Sequence, residues 1–134
     1  MGMARFSKVL VATASCVVLM ACSQPITVGT IQLGRSLNVD NSVASQTSTF
    51  KPKETVYVSV LNPERGQGTI GVKWYFGTQT LSERSKPVSF QGAGATEFHL
   101  QSATGFPLGD YTVEVLLDGQ PVGRRNFNVV ELRE

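Results

Sequence analysis

Apolar and polar residues alternate along much of this chain. The alternation has a period of two, which is typical of a β-strand with one buried face, and no stretch has a convincing helical period. The predicted inward rows are Val56, Val58 and Val60; Ile70, Val72, Trp74 and Phe76; Phe98 and Leu100; Tyr111, Val113, Val115 and Leu117; and Phe127 and Val129. We predict an all-β domain of about seven short strands packed as a two-layer antiparallel sandwich.

Turn residues and changes of parity indicate how the strands connect. Asp118-Gly119 lies between two alternating segments and predicts a tight hairpin, because both residues tolerate positive φ. The apolar positions change parity at Gly29, between Ile26 and Ile31, which a bulge or a strand that changes sheets would explain. The other predicted connections are glycine-rich turns at 66–68 and 92–94 and a long polar loop over 34–49, with room for one short strand.

The segment from Phe50 to Val130 resembles an immunoglobulin-like sandwich. The resemblance rests on Trp74 in the third strand, on Gly109-Asp110-Tyr111 at the corner entering the sixth, and on the closing Asp118-Gly119 hairpin. It implies that Trp74 is a core residue and that the Tyr111 hydroxyl bonds to upstream backbone, as in a tyrosine corner. Both positions of the family's disulfide lack cysteine, so kinship with antibody domains is not implied.

Residues 107–129 resemble more closely the closing segment of immunoglobulin-like domains in uncharacterised bacterial envelope lipoproteins. This resemblance implies a fold and a location, and it carries no established activity. The N-terminus points to the same compartment. Arg5 and Lys8 precede an uncharged apolar run of about 13 residues, shorter than the roughly 20 that a membrane-spanning helix needs, which is the pattern of a secretory signal.

Leu19-Met20-Ala21-Cys22 is similar to the lipobox of bacterial lipoproteins. The resemblance implies cleavage between Ala21 and Cys22, attachment of lipid to the Cys22 thiol and acylation of the new amino terminus. An ordinary cleaved signal and an uncleaved helix are the alternatives. Ser23 follows the cysteine, and in proteobacterial lipoproteins the lack of aspartate at that position favours the outer membrane over the inner one.

We therefore divide the chain into a signal peptide (1–21), a lipidated tether (22–25) and a sandwich domain (26–134). If Ile26 begins the first strand, the tether is short and the domain lies within roughly 15 Å of the bilayer surface. If residues 26–49 are disordered, Cys22 anchors the folded domain through a long flexible linker. The order of that segment decides between the two geometries.

Charge and cysteine content exclude several classes of function. Removal of Arg5 and Lys8 from the 12 basic residues leaves ten, against ten acidic ones, so the mature chain is formally neutral. This removes the electrostatic case for binding nucleic acid or anionic lipid. Cys16 leaves with the signal and Cys22 carries lipid, so no disulfide and no catalytic thiol are expected.

Candidate catalytic groups are few. His99 is the single histidine, and its parity places it on an outward face without a second histidine to share a metal. Glu97 and Glu114 fall on different predicted sheets, which argues against an acid–base pair. Neither glycine-rich turn precedes a helix that could hold phosphate. We expect no enzyme activity, no cofactor and no metal site, and we assign Trp74 to the core rather than to sugar stacking.

An outward face is the main candidate for function. If the predicted strands that contain Trp74, Tyr111 and Phe127 pair in one sheet, their solvent face carries Lys73, Tyr75, Thr112, Glu114, Leu116, Arg124 and Asn126. On this face Tyr75 and Leu116 are apolar positions in a polar surround, which is typical of a modest protein interface, although single exposed apolar residues are also ordinary. Tyr57 with His99 forms a second, smaller patch on the other sheet. Arg124-Arg125 either contacts an acidic partner or lipid phosphate, or protects an edge strand from aggregation.

The sequence favours a lipid-anchored, non-catalytic envelope protein that binds or supports another envelope protein. One alternative is the binding of an envelope carbohydrate or other small ligand by loops at one end of the sandwich, where Phe50 and Phe106 are the available aromatics. Protease inhibition through the loops is a weaker alternative. The fold class alone does not choose among these functions.

Overall fold

A computed structural model describes residues 24–131 of the chain. The predicted signal peptide (1–21), the predicted cleavage site between Ala21 and Cys22 and the predicted lipidation site Cys22 lie outside the described residues. Within the described part, eight β-strands and no helix are present. Their bounds are β1 (Ile31–Gly34), β2 (Thr49–Phe50), β3 (Val56–Asn62), β4 (Gly66–Phe76), β5 (Gln79–Phe90), β6 (Gly94–Leu100), β7 (Gly109–Leu117) and β8 (Gln120–Val129).

The strands form two layers. One sheet has three strands in the order β1-β3-β6, and the other has five in the order β2-β8-β7-β4-β5. All strand pairs are antiparallel except the short β2–β8 pair, which is parallel. The predicted all-β sandwich is confirmed. No helix in residues 24–131 is long and apolar enough to cross a membrane.

The core lies between the layers and contains the predicted inward rows together with Ile26, Ile31, Leu33, Phe50 and Phe106. Most of their members are almost fully buried, which is the state that period-two alternation predicts for one face of a strand. Phe127 is the centre of an aromatic cluster: its ring stacks on Tyr111 at 5.2 Å between centroids, and it meets Trp74 and Phe50 edge to face at 6.0 and 5.5 Å. Such pairs add to the free energy gained from burying apolar area.

The N-terminal segment changes sheets at Gly29. Pro25 forms a parallel bridge to Gln67 of β4, and the Gln67 carbonyl accepts a hydrogen bond from the Ile26 amide at 3.0 Å. Farther along, β1 pairs with β3 in the other sheet. This crossing explains the change of apolar parity. Because the segment packs so closely, a Cβ at Gly66 would lie 2.6 Å from the Cα of Ile26.

The structure corrects one expectation about the connections and adds a strand that was not predicted. Residues 66–68 are not a turn but the first residues of β4, where glycine permits the close approach of the N-terminal segment. Residues 24–131 form eight strands, in agreement with the prediction of about seven, and the strand without a predicted counterpart is β5. Its sequence, QTLSERSKPVSF, lacks a regular apolar row, since most of its residues are exposed at the edge of the sheet.

Residues 35–48, here called the cover hairpin, fold over the outer face of the three-stranded sheet. Its two arms meet through bridges between Gly34 and Gln46 and between Leu37 and Val43. Ser59 points outward from β3 yet is fully buried under the hairpin, and its hydroxyl donates a hydrogen bond of 2.7 Å to the Asn41 carbonyl. The predicted long loop is therefore ordered and packed against the sheet.

The tip of the cover hairpin is held by local hydrogen bonds. The Ser42 hydroxyl and then the Ser42 amide bind the Asp40 carboxylate, at 2.5 and 2.9 Å, and lower the pKa of that carboxyl group. Asn41 adopts a left-handed conformation with φ of 71°, which asparagine tolerates in turns. Val39 stands fully exposed at this tip.

The two ends of the sandwich carry different connections. At the end marked by Gln24 lie the β3–β4 turn, the β5–β6 turn and the Asp118-Gly119 hairpin. In that hairpin both residues have positive φ, 49° and 83°, and the Asp118 carboxylate accepts a hydrogen bond from the Thr69 amide at 2.8 Å. At the opposite end, marked by Gly77, lie the β4–β5 turn and the loop 101–108.

Candidate interaction face

The predicted face is assembled by β4, β7 and β8 of the five-stranded sheet. Direct cross-strand pairing places Lys73 beside Glu114 and Glu114 beside Arg124, and on the next outward row Tyr75 lies beside Thr112 and Thr112 beside Asn126. Leu116 pairs with Gly71 on the row toward the Gln24 end. We call this surface, the outer side of the five-stranded sheet, the open face. It brings together all seven residues of the predicted face.

Four charged residues cross the open face in one row and alternate in sign. From β5 to β8 they are Glu83, Lys73, Glu114 and Arg124. Lys73 Nζ lies 3.7 Å from a Glu83 oxygen, and Arg124 Nη2 lies 3.5 Å from a Glu114 oxygen. We call this row the charge ladder. Its net charge is zero, so the ladder does not select a partner by the sign of its charge.

Glu83 is a member of the ladder that the sequence did not identify. The sequence around Glu83 does not predict a strand, because β5 has no apolar alternation. Only the pairing of β5 with β4 brings Glu83 opposite Lys73. On the neighbouring strand the Tyr75 hydroxyl lies 3.5 Å from Glu114, at the limit of a hydrogen bond. The ladder is thus a property of four strands rather than of any single segment.

Beside the ladder, the open face has a recess. Gly71 is buried and contributes no side chain, so a hollow of about 310 Å³ opens between Leu116 of β7 and Ser85 of β5. A Cβ built at Gly71 would meet its neighbours only at 3.4 Å or more, which is ordinary van der Waals contact. The hollow therefore exists because of the missing side chain, and Leu116 forms a partly exposed apolar wall.

The other end of the open face is polar. Thr112 donates a hydrogen bond to the side-chain carbonyl of Asn126 at 3.0 Å, and Thr49 of β2 donates one to that of Asn128 at 3.1 Å. These residues border a shallow depression of about 500 Å³ with Asp110 and Ser48. Most of the polar groups named here are hydrogen-bonded to each other. This part of the face is therefore a polar border whose hydrogen-bonding groups are largely satisfied within the chain.

The smaller predicted patch lies on the three-stranded sheet. Tyr57 and His99 are cross-strand neighbours with ring centroids 5.6 Å apart, and His99 Nδ1 lies 3.3 Å from Glu97. Lys86 of β5 reaches the same carboxylate at 3.6 Å and lies over the Phe98 ring at 4.7 Å. Between residues 24 and 131, no group of three or more histidine, cysteine, aspartate or glutamate residues is arranged to hold a metal ion.

Glu97 and Glu114 lie on different sheets, in β6 and β7. The expectation that the chain is not an enzyme stays a prediction. The two aromatics considered as loop platforms for a carbohydrate are core residues, because Phe50 is fully buried and Phe106 is 8% exposed. The loops at the Gly77 end therefore offer neither of these rings to a sugar.

Two residues of the inner layer support the open face from beneath. Trp74 is 1% exposed, and its indole nitrogen has no hydrogen-bond partner among the described residues. The Tyr111 hydroxyl donates a hydrogen bond of 2.6 Å to the Pro107 carbonyl, which is the contact of a tyrosine corner. Burial raises the pKa of Tyr111 above its ordinary value.

The arginine pair of β8 points to both sides of the sheet. Arg124 belongs to the charge ladder, whereas Arg125 pairs with inward-facing Val113 and yet is exposed at the side of the sandwich. β2 covers β8 only at Asn128 and Val129. Both arginines thus lie on a stretch of β8 that has β7 as its only strand partner among the described residues, where charges oppose the addition of a foreign strand.

Comparisons with known proteins identify the fold. No protein-family model matches this chain, and no curated protein matches it. Among solved structures, an immunoglobulin-like protein from Pseudomonas aeruginosa matches with a TM-score of 0.52 and 13% identity, over 79% of this chain and 95% of that one. At this identity the likeness shows the fold alone, and the fold is immunoglobulin-like.

Parts of two larger enzymes also match. One is the alkylpurine DNA glycosylase AlkC from Pseudomonas fluorescens (TM-score 0.44, 14% identity, 74% of this chain and 30% of that one). The other is a β-D-glucoside glucohydrolase from Trichoderma reesei (TM-score 0.45, 9% identity, 78% of this chain and 19% of that one). Both scores are below 0.5 and each match spans less than a third of the enzyme, so neither carries an argument about activity here.

Proposed function

We propose that this chain is a lipid-anchored protein of the bacterial envelope, on the outer membrane, whose immunoglobulin-like domain is a non-catalytic module for binding other proteins. The observation that carries the proposal is the open face. It combines a recess beside Leu116 with a row of charges, while the chain's own cover hairpin packs on the opposite outer face. Leu116 and Tyr75 are apolar positions within a polar surround, which is the composition of a modest protein interface.

The lipobox-like segment ending at Cys22 supports the anchor, and the N-terminal packing gives it a geometry. Gln24 and Ile26 are both hydrogen-bonded to Gln67 of β4. Only one residue, Ser23, then separates the lipidated cysteine from the fold, and at ~3.6 Å per residue the Gln24 end lies within roughly 10 Å of the bilayer surface. In this arrangement the strands run away from the membrane surface. The open face is then turned toward neighbouring molecules on the same membrane and not toward the bilayer.

Metabolic labelling tests the anchor. We expect radioactive palmitate to enter the native chain and a Cys16→Ser variant, because Cys16 lies in the signal peptide. A Cys22→Ser variant should take up none, since it lacks the thiol that receives the lipid. Labelling of Cys22→Ser, or no labelling of the native chain, would contradict lipid attachment at this residue.

Cross-linking in intact cells, followed by purification, tests the interface. We expect the native chain to recover a specific envelope protein, and Leu116→Asp to lower the recovery at least ~10-fold, since a buried unpaired charge is costly at an interface centre. Leu108→Asp is the matched control, because Leu108 is 53% exposed at the Gly77 end and lies outside the open face. Equal recovery by both variants would show that the open face is not the binding surface.

A further inference from the structure

We infer that the open face binds a second copy of this chain, with the strands of the two copies pointing in the same direction. This inference rests on the proposed function, because it names the partner of the same surface. It follows from a symmetry in how the face is built. Both the charge ladder and the recess complement themselves when the face is turned about one particular axis.

The charge ladder is the first part of the argument. Across the strands its signs read negative, positive, negative, positive, at Glu83, Lys73, Glu114 and Arg124. A two-fold axis parallel to the strands, passing between β4 and β7, reverses this order in the facing copy. Lys73 then faces Glu114 and Glu83 faces Arg124, so each charge faces one of opposite sign. An axis across the strands would place each charge over its own copy, and like charges facing each other oppose association.

The recess is the second and independent part. Gly71 and Leu116 are cross-strand partners, on the two strands that flank the proposed axis. The same rotation therefore places Leu116 of each copy over the hollow left by Gly71 of the other. On the other side of the ladder, Tyr75 comes to lie over Thr112 by the same geometry. Interfaces with two-fold symmetry are built from such reciprocal contacts.

The orientation fits the proposed anchor. An axis parallel to the strands keeps the Gln24 ends of both copies on the same side of the dimer, so both lipids reach one membrane. An axis across the strands would send one Gln24 end away from the bilayer. The arrangement that pairs the charges is thus also the arrangement that two anchored copies are able to adopt.

The size of the face predicts a weak dimer. Four strands about 4.8 Å apart and the paired residues 70–76 at about 3.4 Å each give a flat footprint of roughly 450 Å² per copy. Twice this area falls below the ~1,600 Å² of a standard stable interface. Confinement of both copies to one membrane raises their effective concentration, so we expect dimers in the envelope and mostly monomers in dilute solution.

Site-specific cross-linking in the envelope tests the inference. Asp110 lies on the outer side of β7, four residues from the ladder toward the Gly77 end. In the predicted dimer the two copies of residue 110 lie close together, whereas a reversed orientation separates them by roughly 30 Å. We expect the Asp110→Cys chain to form a dimer with a short bismaleimide. The native chain under the same treatment controls for Cys16 and Cys22.

A charge swap separates the ladder from a general effect on folding. Glu114→Lys should lower the cross-linked dimer at least ~5-fold, because like charges then face each other. The double variant Lys73→Glu/Glu114→Lys reads negative, negative, positive, positive, which is again complementary under the same rotation. It should restore the dimer to within ~2-fold of the starting chain, although it breaks both ion pairs within each copy. Failure of the double variant to restore the dimer would overturn the inference.

Filling the recess provides a test without any change of charge. The backbone at Gly71 is not in the left-handed region and a Cβ there makes only ordinary contacts, so Gly71→Leu extends its side chain into the hollow and leaves no room for Leu116 of the facing copy. We expect it to reduce cross-linking as strongly as Glu114→Lys does. Unchanged cross-linking would overturn the inference. If the chain forms no dimer but Leu116→Asp still abolishes capture of another envelope protein, the self-association fails and the proposed function stands. If the chain forms no dimer and captures no other envelope protein through the open face, both the self-association and the proposed function are overturned.

Discussion

On the three-stranded sheet, the chain covers part of its own outer face: the cover hairpin packs around Ser59 and bonds to it through Asn41. On the five-stranded sheet, no segment within residues 24–131 covers the charge ladder or the Gly71 recess. Both faces belong to one sandwich and share one core. Burying a polar side chain requires a partner for it, and the chain supplies that partner on one face only. The difference identifies which face is available to another molecule.

The greatest loss of stability should come from disturbing the packing of the cover hairpin. In Gly34→Ala the new Cβ would collide with the Ser45 carbonyl and with Val43, because the two arms of the hairpin meet at Gly34. We expect the free energy of unfolding to fall by about 3 kcal/mol, measured by chemical denaturation. The hairpin should also become sensitive to limited proteolysis.

Gly92→Ala is the matched control for that variant. A Cβ at Gly92 meets no atom within 4 Å, and its backbone is not in the left-handed region. Its stability should remain within about 0.5 kcal/mol of the native chain. Equal stability of Gly34→Ala and Gly92→Ala would show that the hairpin does not pack as described.

The next effect concerns the support beneath the open face. Tyr111→Phe removes the hydrogen bond to Pro107 while it keeps the ring that stacks on Phe127. We expect a loss of about 1.5 kcal/mol in the free energy of unfolding, because the Pro107 carbonyl loses its partner. A stability equal to that of the native chain would show that this tyrosine corner contributes nothing.

The free energy of unfolding should depend on alkaline pH through Tyr111. Burial raises its pKa above the ordinary 10.0, so above pH 10 the unfolded chain releases this proton before the folded chain does. The folded state then binds more protons, and stability falls as the pH rises until the folded tyrosine also ionises. Denaturation measured from pH 9 upward should show a steeper loss for the native chain than for Tyr111→Phe. Identical slopes would contradict the raised pKa.

A pair of hydroxyl deletions compares the two faces directly. Ser59→Ala removes a bond buried under the cover hairpin, whereas Thr112→Val removes a bond to Asn126 on the open face. We expect losses of about 1 and about 0.3 kcal/mol respectively, since water replaces the lost partner on the open face only. Thermal denaturation of both variants gives the comparison, and the opposite order would contradict the assignment of covered and open faces.

The smallest expected effect on stability is that of the charge ladder. Lys73→Ala should change the free energy of unfolding by less than about 0.5 kcal/mol, because exposed ion pairs contribute little. The same variant should weaken binding at the open face, measured as cross-linked product. A large loss of stability would indicate that the ladder serves the fold rather than a partner.

Much of the fold could be predicted because its signals are local. Rows such as Val113 and Val115 alternate regularly, Asp118-Gly119 has the residues that a tight hairpin needs, and the change of parity at Gly29 records the crossing between sheets. Each signal depends on neighbouring residues. The same alternation placed Lys73 and Glu114 on outward faces, and their strands pair as the prediction required.

The parts that could not be predicted depend on distant contacts. Strand β5 is held at the sheet edge by its pairing with β4, so its sequence needs no apolar row and gives no sign of a strand. For the same reason Glu83 and the Gly71 recess were missed. The cover hairpin depends on the contact between Asn41 and Ser59, and the strand role of Gly66 depends on the approach of Ile26. No local pattern contains these contacts.

Photo-cross-linking from the two faces in living cells identifies the face that contacts other proteins. A photoreactive amino acid is placed at Leu116 on the open face in one variant and at Val39 on the cover hairpin in another. Val39 is fully exposed and Leu116 only partly, so random collisions would favour Val39. We predict defined protein adducts from position 116 and none from position 39. Adducts from position 39 alone would contradict the assignment of the open face as the binding surface.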